Sequence, residues 1–236
     1  MRPQIGFAAL ALLEQAGCTV EVPAVQTCCG QPAANAGDAG GARRIARQVI
    51  TAFEGFDYVV APSGSCAATI KVQYPELFAR EPAMHARAMA LAGKTHELLS
   101  FLWDIRHWQP QGVALAASAA YHDSCSGLRE LGIQAQPRRM LGKVDGLELR
   151  PLEGSTVCCG FGGTFCVKYP AISNAIADDK ARAIEATGAE ILLGGDLGCL
   201  MNMAGKLHRR GAATRSFHAA EVLAGMADGP AIGETA

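Results

Sequence analysis

The chain has 236 residues and a formal net charge of −1, room for one large domain or two of about 110–120 residues. Half of its residues are hydrophobic, so a sizeable core can be buried, and the near-neutral charge without a long basic run excludes a dedicated nucleic-acid surface. No uncharged apolar run approaches the ~18 residues of a membrane-spanning helix, and few aromatics beside many Ala and Gly suit α/β layers better than a β-sandwich.

Nine cysteines, unevenly spread, do not make the dense disulfide scaffold of a short secreted domain. The segment Met1 to Leu13 is apolar but lacks a small-x-small cleavage pattern, and it runs into Glu14 and Gln15 as an ordinary helix would. A reducing, cytoplasmic compartment is the expectation. The pairs Arg43-Arg44, Arg138-Arg139 and Arg209-Arg210 are scattered and expected in solvent.

In chain order, Ile5 to Ala16 has helical spacing, with Phe7, Leu10, Leu13 and Ala16 as its stripe, and Gly17 ends it. Thr19 to Val25 predicts a short strand leading to Cys28-Cys29-Gly30. A turn through Asn35, Gly37, Gly40 and Gly41 precedes a helix to Phe53, striped by Ile45, Val49, Ile50 and Phe53. Asp57 to Ala61 predicts a buried strand, and Pro62-Ser63-Gly64-Ser65 delivers Cys66 to a helix start. Thr95 to Arg106 predicts a helix, and His107 to Gly112 a connector between halves. The second half repeats the grammar. Strands are predicted at Val113 to Tyr121, Leu147 to Leu149, Glu190 to Leu193 and near Ser216. Helices are predicted at Ala171 to Ala186, from Cys199 to His208 and from Ala219 to Met226. The tail beyond Asp228 is expected to fray. The fold expected is α/β, two similar Rossmann-like halves spanning 1–108 and 109–236. The cysteines follow strand ends, where ligands gather in open parallel sheets and helix N-termini favour anions.

The cysteine spacing carries the chemistry. Cys28-Cys29-Gly30 and Cys158-Cys159-Gly160 are followed by Cys66 and Cys199, 37 and 40 positions on, and Cys125 lies 33 before Cys158. Cys125, Cys158, Cys159 and Cys199 form a four-thiolate set, as an iron–sulfur cluster or a structural zinc requires. Adjacent thiols are awkward as a disulfide and natural as neighbouring ligands. Zinc knuckles use C-x(2–4)-C, absent here, so spacing favours iron–sulfur with zinc as the fallback. Cys18 and Cys166 have no repeat partner and are expected to be small buried hydrophobes.

Five segments carry a family resemblance: Gln26-Thr27-Cys28-Cys29-Gly30-Gln31-Pro32, Pro62-Ser63-Gly64-Ser65-Cys66, Tyr121-His122-Asp123-Ser124-Cys125, Cys158-Cys159-Gly160-Phe161-Gly162-Gly163-Thr164-Phe165 and Gly198-Cys199-Leu200-Met201-Asn202. With these the chain resembles the CCG cysteine-rich domain family, which includes heterodisulfide reductase B subunits and glycolate oxidase iron–sulfur subunits. The resemblance implies two related halves and an iron–sulfur cluster, of the 4Fe-4S type, held by motif cysteines among Cys28, Cys29, Cys66, Cys125, Cys158, Cys159 and Cys199. It also implies electron transfer beside other subunits of a complex oxidising lactate, or a related 2-hydroxy acid, to the keto acid. A thiol–disulfide reductase is the rival, weakened because Thr69 and Asn202 stand where that branch completes a C-x-x-C. The first half lacks a leading cysteine. The second-half spacing puts it at 28 − 33 = −5, so Met1 reads as an internal start or a truncation.

His122 and Asp123 have two readings: a hydrogen bond or proton relay toward a cluster, or a strand-end pair capping the next helix. His85, His96, His107, His208 and His218 show no ligand spacing. Gly160 to Gly163 lacks the Lys-Ser/Thr of a phosphate loop, and its glycines are expected to bring backbone N–H groups close to sulfur. Tyr74-Pro75 and Tyr169-Pro170 echo one another as packing and turn signals.

Overall fold

A computed structural model describes residues 2–234; the internal start expected at Met1 lies outside them. The first helix, α1 (Gln4–Gln15), buries Ile5, Ala8, Ala9, Leu12 and Leu13, an i, i+3, i+4, i+7, i+8 stripe. This differs from the expected stripe, because Phe7 is 61% exposed. Helices α2 (Gln31–Asn35) and α3 (Ala39–Phe53) follow, α3 capped by the Asp38 carboxylate, which accepts from Gly41 N at 2.8 Å. Strand β1 (Val59–Ala61) leads into α4 (Gly64–Ala68), a π-helical turn, α5 (Tyr74–Leu77) and α6 (Pro82–Lys94). Then come β2 (Thr95–Glu97) and α7 (Leu98–Ser100), which a second π-helical turn extends to Ile105.

The remainder alternates strand and helix: β3 (Ala114–His122), α8 (Cys125–Arg129), α9 (Ala135–Leu141), β4 (Asp145–Arg150), α10 (Phe165–Lys168), α11 (Pro170–Ala186), β5 (Ile191–Gly194), α12 (Leu197–Arg210), β6 (Arg215–His218) and α13 (Ala219–Leu223). Two parallel sheets result, β1-β2 and β4-β3-β5-β6. Every residue of β5 is buried, as a central parallel strand covered on both faces requires. The architecture is α/β as expected, with two strands before the connector and four after it.

Three local expectations fail, each for a tertiary reason. No strand forms over 19–25. Val22 and Val25 are exposed, Pro23 supplies no ladder donor, and β1 pairs only with β2, so strand propensity there has no neighbour to satisfy. The helix expected from Thr95 begins as strand, because Thr95, His96 and Glu97 register against Val59, Val60 and Ala61; the helix starts at Leu98. The tail beyond Asp228 is held down as far as Glu234. Ala231 and Ile232 are buried, and Ile232 N donates to Ser216 O at 2.9 Å.

One core joins α1, Leu98–Leu102, β3, β6 and α13, so apolar side chains from both ends of the chain share it. A second packs Leu152, Cys159, Ile184, Leu192, Leu200 and Met203. A third packs Cys29, Val49, Ile50, Val59, Tyr74 and Phe78. The cysteine pairs are therefore seated on cores.

Candidate metal centre

Three helices that carry cysteines begin at strand ends, and each has a side-chain cap, which satisfies orphan N–H groups of the first turn. Ser63 Oγ accepts from Cys66 N at 3.4 Å, Ser124 Oγ from Gly127 N at 3.3 Å, and Asp196 Oδ1 from Gly198 N at 3.2 Å. Cys66, Cys125 and Cys199 thus sit in the first turns of α4, α8 and α12.

The two Cys-Cys-Gly loops match in detail. Gly30 and Gly160 have φ of +83° and +86°, the left-handed region that glycine enters without penalty. That turn points Gly30 N at Cys28 Sγ (3.5 Å) and Gly160 N at Cys158 Sγ (3.3 Å). The carbonyl of the second cysteine is held in both: Tyr74 Oη donates to Cys29 O and Asn202 Nδ2 to Cys159 O, each at 2.8 Å. Tyr74 is buried, whereas Tyr169 is exposed. The Tyr-Pro echo is therefore not a packing equivalence, although Pro75 and Pro170 both lie in a first helical turn.

The four second-half thiols lie together. They lie close enough to shift one another's protons: Cys125 with Cys158, Cys158 with Cys159, and Cys159 with Cys199. The neighbouring thiols of Cys125 and Cys159, helped by Gly160 N–H, hold Cys158 far below the usual thiol range, while Cys125 and Cys159 are pushed above it. One thiolate is thus stabilised by its neighbours' protons, and a metal would displace those protons. In the first half, Cys29 and Cys66 share a hydrogen bond that lowers Cys66 to about 7 and raises Cys29, whose burial adds to the rise. Cys28 is exposed beside them, and this set has three thiols.

His122, at the end of β3, places a ring nitrogen within 4.8 Å of the Cys159 and Cys199 sulfurs, which lie within the same distance of each other. Both its ring nitrogens are buried without a hydrogen-bond partner among the described residues. Burial, with Lys180 nearby, lowers its pKa to about 4, so the ring is neutral and offers one N–H and one lone pair. The capping reading of the His122-Asp123 pair is corrected: Ser124 is the cap, and Asp123 is held by Arg138 through two bonds of 2.7 Å. Arg138, expected in solvent, is drawn in by the buried Asp123 carboxylate; its guanidinium also lies 5.1 Å from the Tyr121 ring centre.

The residues fit a sulfur-held centre on two observations: four thiols whose chief partners are one another, and a buried imidazole with both nitrogens unclaimed. Cys166 stands apart, donating to Gly163 O at 3.2 Å. Cys18 packs against the first core, and both it and Cys166, expected to be buried, are only partly so because each lies on a short surface segment, Cys18 after α1 and Cys166 in α10.

Sequence reasoning passed over two residues. Asp196 Oδ2 accepts from Ser63 Oγ (3.1 Å) and Ser65 N (3.0 Å) while Oδ1 caps its own helix. It therefore ties the turn carrying Cys66 to the turn carrying Cys199. An Asp immediately before a helix is an N-cap signal that marks it. Lys180 is 3% exposed, donates to Gly154 O and brings a cation toward Cys125, Cys158 and Cys159. Its signal is a charge in the buried stripe Ser173, Ala177, Ala181, Ile184.

Parallel strands ending at capped, cysteine-bearing helices define a thiol-lined α/β protein. The chain belongs to the CCG cysteine-rich domain family, whose model matches residues 1–71 and 119–204, more than half of it. It is 47% identical over 220 residues to lactate utilization protein A of Geobacillus kaustophilus, covering 93% of this chain and 92% of that protein. It is 46% identical to lactate utilization protein A of an Exiguobacterium species (94% and 91% covered). The counterpart from Bacillus licheniformis is 44% identical (93% and 92% covered).

Proposed function

We propose that this chain holds an iron–sulfur cluster through Cys125, Cys158, Cys159 and Cys199 and passes electrons in a system that oxidises lactate, or a related 2-hydroxy acid, to the keto acid. The observation that carries the reading is the run of four neighbouring thiols with the unclaimed His122 ring beside Cys159 and Cys199. The names of the relatives support the lactate assignment. When bound, such a cluster supplies one-electron transfer at a potential set by burial and by hydrogen bonds to sulfur.

The chain's own residues do the rest. Gly160 N–H bonds sulfur, His122 offers its N–H or lone pair to the centre, and Lys180 opposes the added negative charge. Other subunits of the oxidising system are the partners in this reading, the cytoplasm is the compartment, and the halves 1–108 and 109–236 are the units of the repeat. Among the described residues no helix is long and apolar enough to cross a membrane. Cys28, Cys29 and Cys66 form an incomplete second set.

Zinc is the alternative, favoured by one feature: the His122, Cys159 and Cys199 ligand atoms are close enough to share one ion. Anaerobic purification followed by iron and zinc analysis, with electron paramagnetic resonance of the reduced protein, decides. Iron with a reducible signal, lost in Cys199→Ser and kept in Cys18→Ser, is the expected result. One equivalent of zinc without iron would sink the electron-transfer reading.

A further inference from the structure

Glu97, at the end of β2, is fully buried and takes part in none of the ion pairs among the described residues. Its Oε2 accepts from Ser100 N at 3.0 Å, while Oε1 has no partner among the described residues. Oε1 faces a small polar cavity of about 10 Å³, roughly the room that one water takes. Gly64, Tyr121, Asp123, Ser124, Gly127, Ile133 and Gly195 complete its wall. A methyl group added at Gly195 would lie 3.4 Å from Tyr121 Oη and 3.8 Å from Glu97 Oε1, so the phenol and the carboxyl converge on one spot.

The location is informative. Gly64 lies two residues before Cys66, Ser124 lies one before Cys125, and Gly195 adjoins Asp196, which links the Cys66 and Cys199 turns. The cavity is wedged between the turns that present the cysteines. The charged and titratable groups facing Glu97 are mostly acidic: Asp196 before α12, Asp104 in the turn after α7, Asp123 and Tyr121 from β3. Of the cations nearby, Arg138 is taken by Asp123, and Lys71 is spent on the carbonyls of Ala92 and Thr95.

We propose that Glu97 is the proton acceptor linked to reduction of the sulfur-held centre, with the Tyr121 hydroxyl facing the same spot. For each electron that an external reductant delivers to the centre, Glu97 Oε1 forms an O–H bond with a proton drawn from solvent by way of the cavity. The pair of events adds one electron and one proton, and no net charge is left in the buried space. An unpaired carboxylate is costly in such a place and a neutral acid is not. Burial already pushes the Glu97 carboxyl up to about 7, with Asp196 and Asp104 adding to the rise, so it stands ready to take a proton near neutral pH. The inference rests on the electron-transfer reading above.

The test is a redox titration of the loaded, full-length protein with dithionite between pH 6 and 8, for the native chain, Glu97→Gln and Tyr121→Phe. The native midpoint potential is expected to fall as pH rises. That slope is expected to vanish in the isosteric Glu97→Gln variant and to move along the pH axis in Tyr121→Phe, which leaves the carboxyl in place. Infrared difference spectra, reduced minus oxidised, are expected to show a protonated-carboxyl band that Glu97→Gln removes. A pH slope or carboxyl band unchanged in Glu97→Gln overturns this proposal alone. A protein that takes up no reducible cluster overturns the electron-transfer reading, and this proposal with it.

Discussion

Alanine at Gly160 probes the loop that aims Cys158. At φ +86° an L-residue loses roughly 1–2 kcal/mol relative to glycine. The new Cβ would also lie 2.6 Å from Ser173 O and 3.2 Å from Ala177 N. Both are backbone atoms of α11, which cannot swing aside as a side chain can, so about 1–3 kcal/mol of overpacking is added. The total expected is about 2–5 kcal/mol. Gly30→Ala is the internal control. Its φ of +83° carries the same backbone penalty, but its Cβ meets the Ile45 side chain at 3.2 Å, and about 1–2 kcal/mol is expected. Urea unfolding of the reduced, metal-free variants by far-ultraviolet circular dichroism measures both losses. Equal losses would refute the clash with Ser173, and a Gly160→Ala loss below about 1 kcal/mol would refute the need for the left-handed turn itself.

Asp196→Ala strands the partly buried donors of Ser63, Ser65 and Gly198 and is expected to cost about 1–3 kcal/mol. Alkylation of both Cys66 and Cys199 should quicken; if Cys66 labelling is unchanged, the bridge between the two turns does not operate. His218 is wholly buried, and desolvation lowers its pKa from 6.5 to about 4. Its folded pKa is depressed, so the unfolded state binds more protons, and stability present above pH 6.5 is lost as pH falls toward 4. That loss is about 3 kcal/mol. His218→Asn, whose amide oxygen can accept from Ala220 N as His218 Nδ1 does at 3.1 Å, should flatten this part of the acid-unfolding curve; superimposable curves would count against it. Phe217→Ala empties a ring site in the first core, where Phe217 is 1% exposed, and is expected to cost about 3–5 kcal/mol by thermal or urea unfolding.

The local grammar of the chain was legible because it rests on short-range physics. The β5 segment is a continuous apolar run, the Pro62 to Ser65 loop delivers Cys66 to a helix start, and the Gly160 loop brings backbone N–H to sulfur. The paired Cys-Cys-Gly loops announced two matched thiol turns, and both have the same N–H to sulfur geometry. Where the reading failed, pairing or burial by distant segments decided. Thr19 to Val25 has strand propensity but no neighbour, while Thr95 to Glu97 has one in β1 and becomes strand. The tail is anchored by Ser216 O, an acceptor that no local pattern reveals.

By itself, then, the sequence determined the α/β alternation, the family and which cysteines are the candidate ligands, since all of these follow from residue type and spacing. Only the tertiary structure decided which groups face that set. It buries His122 with both nitrogens unclaimed, brings Lys180 toward the thiols, makes Asp196 a tie between the Cys66 and Cys199 turns, and leaves Glu97 without a cation beside a one-water cavity. The reason is physical. Ligand identity is a property of side chains, whereas charge balance and desolvation depend on every segment that packs around them, however far apart in the chain.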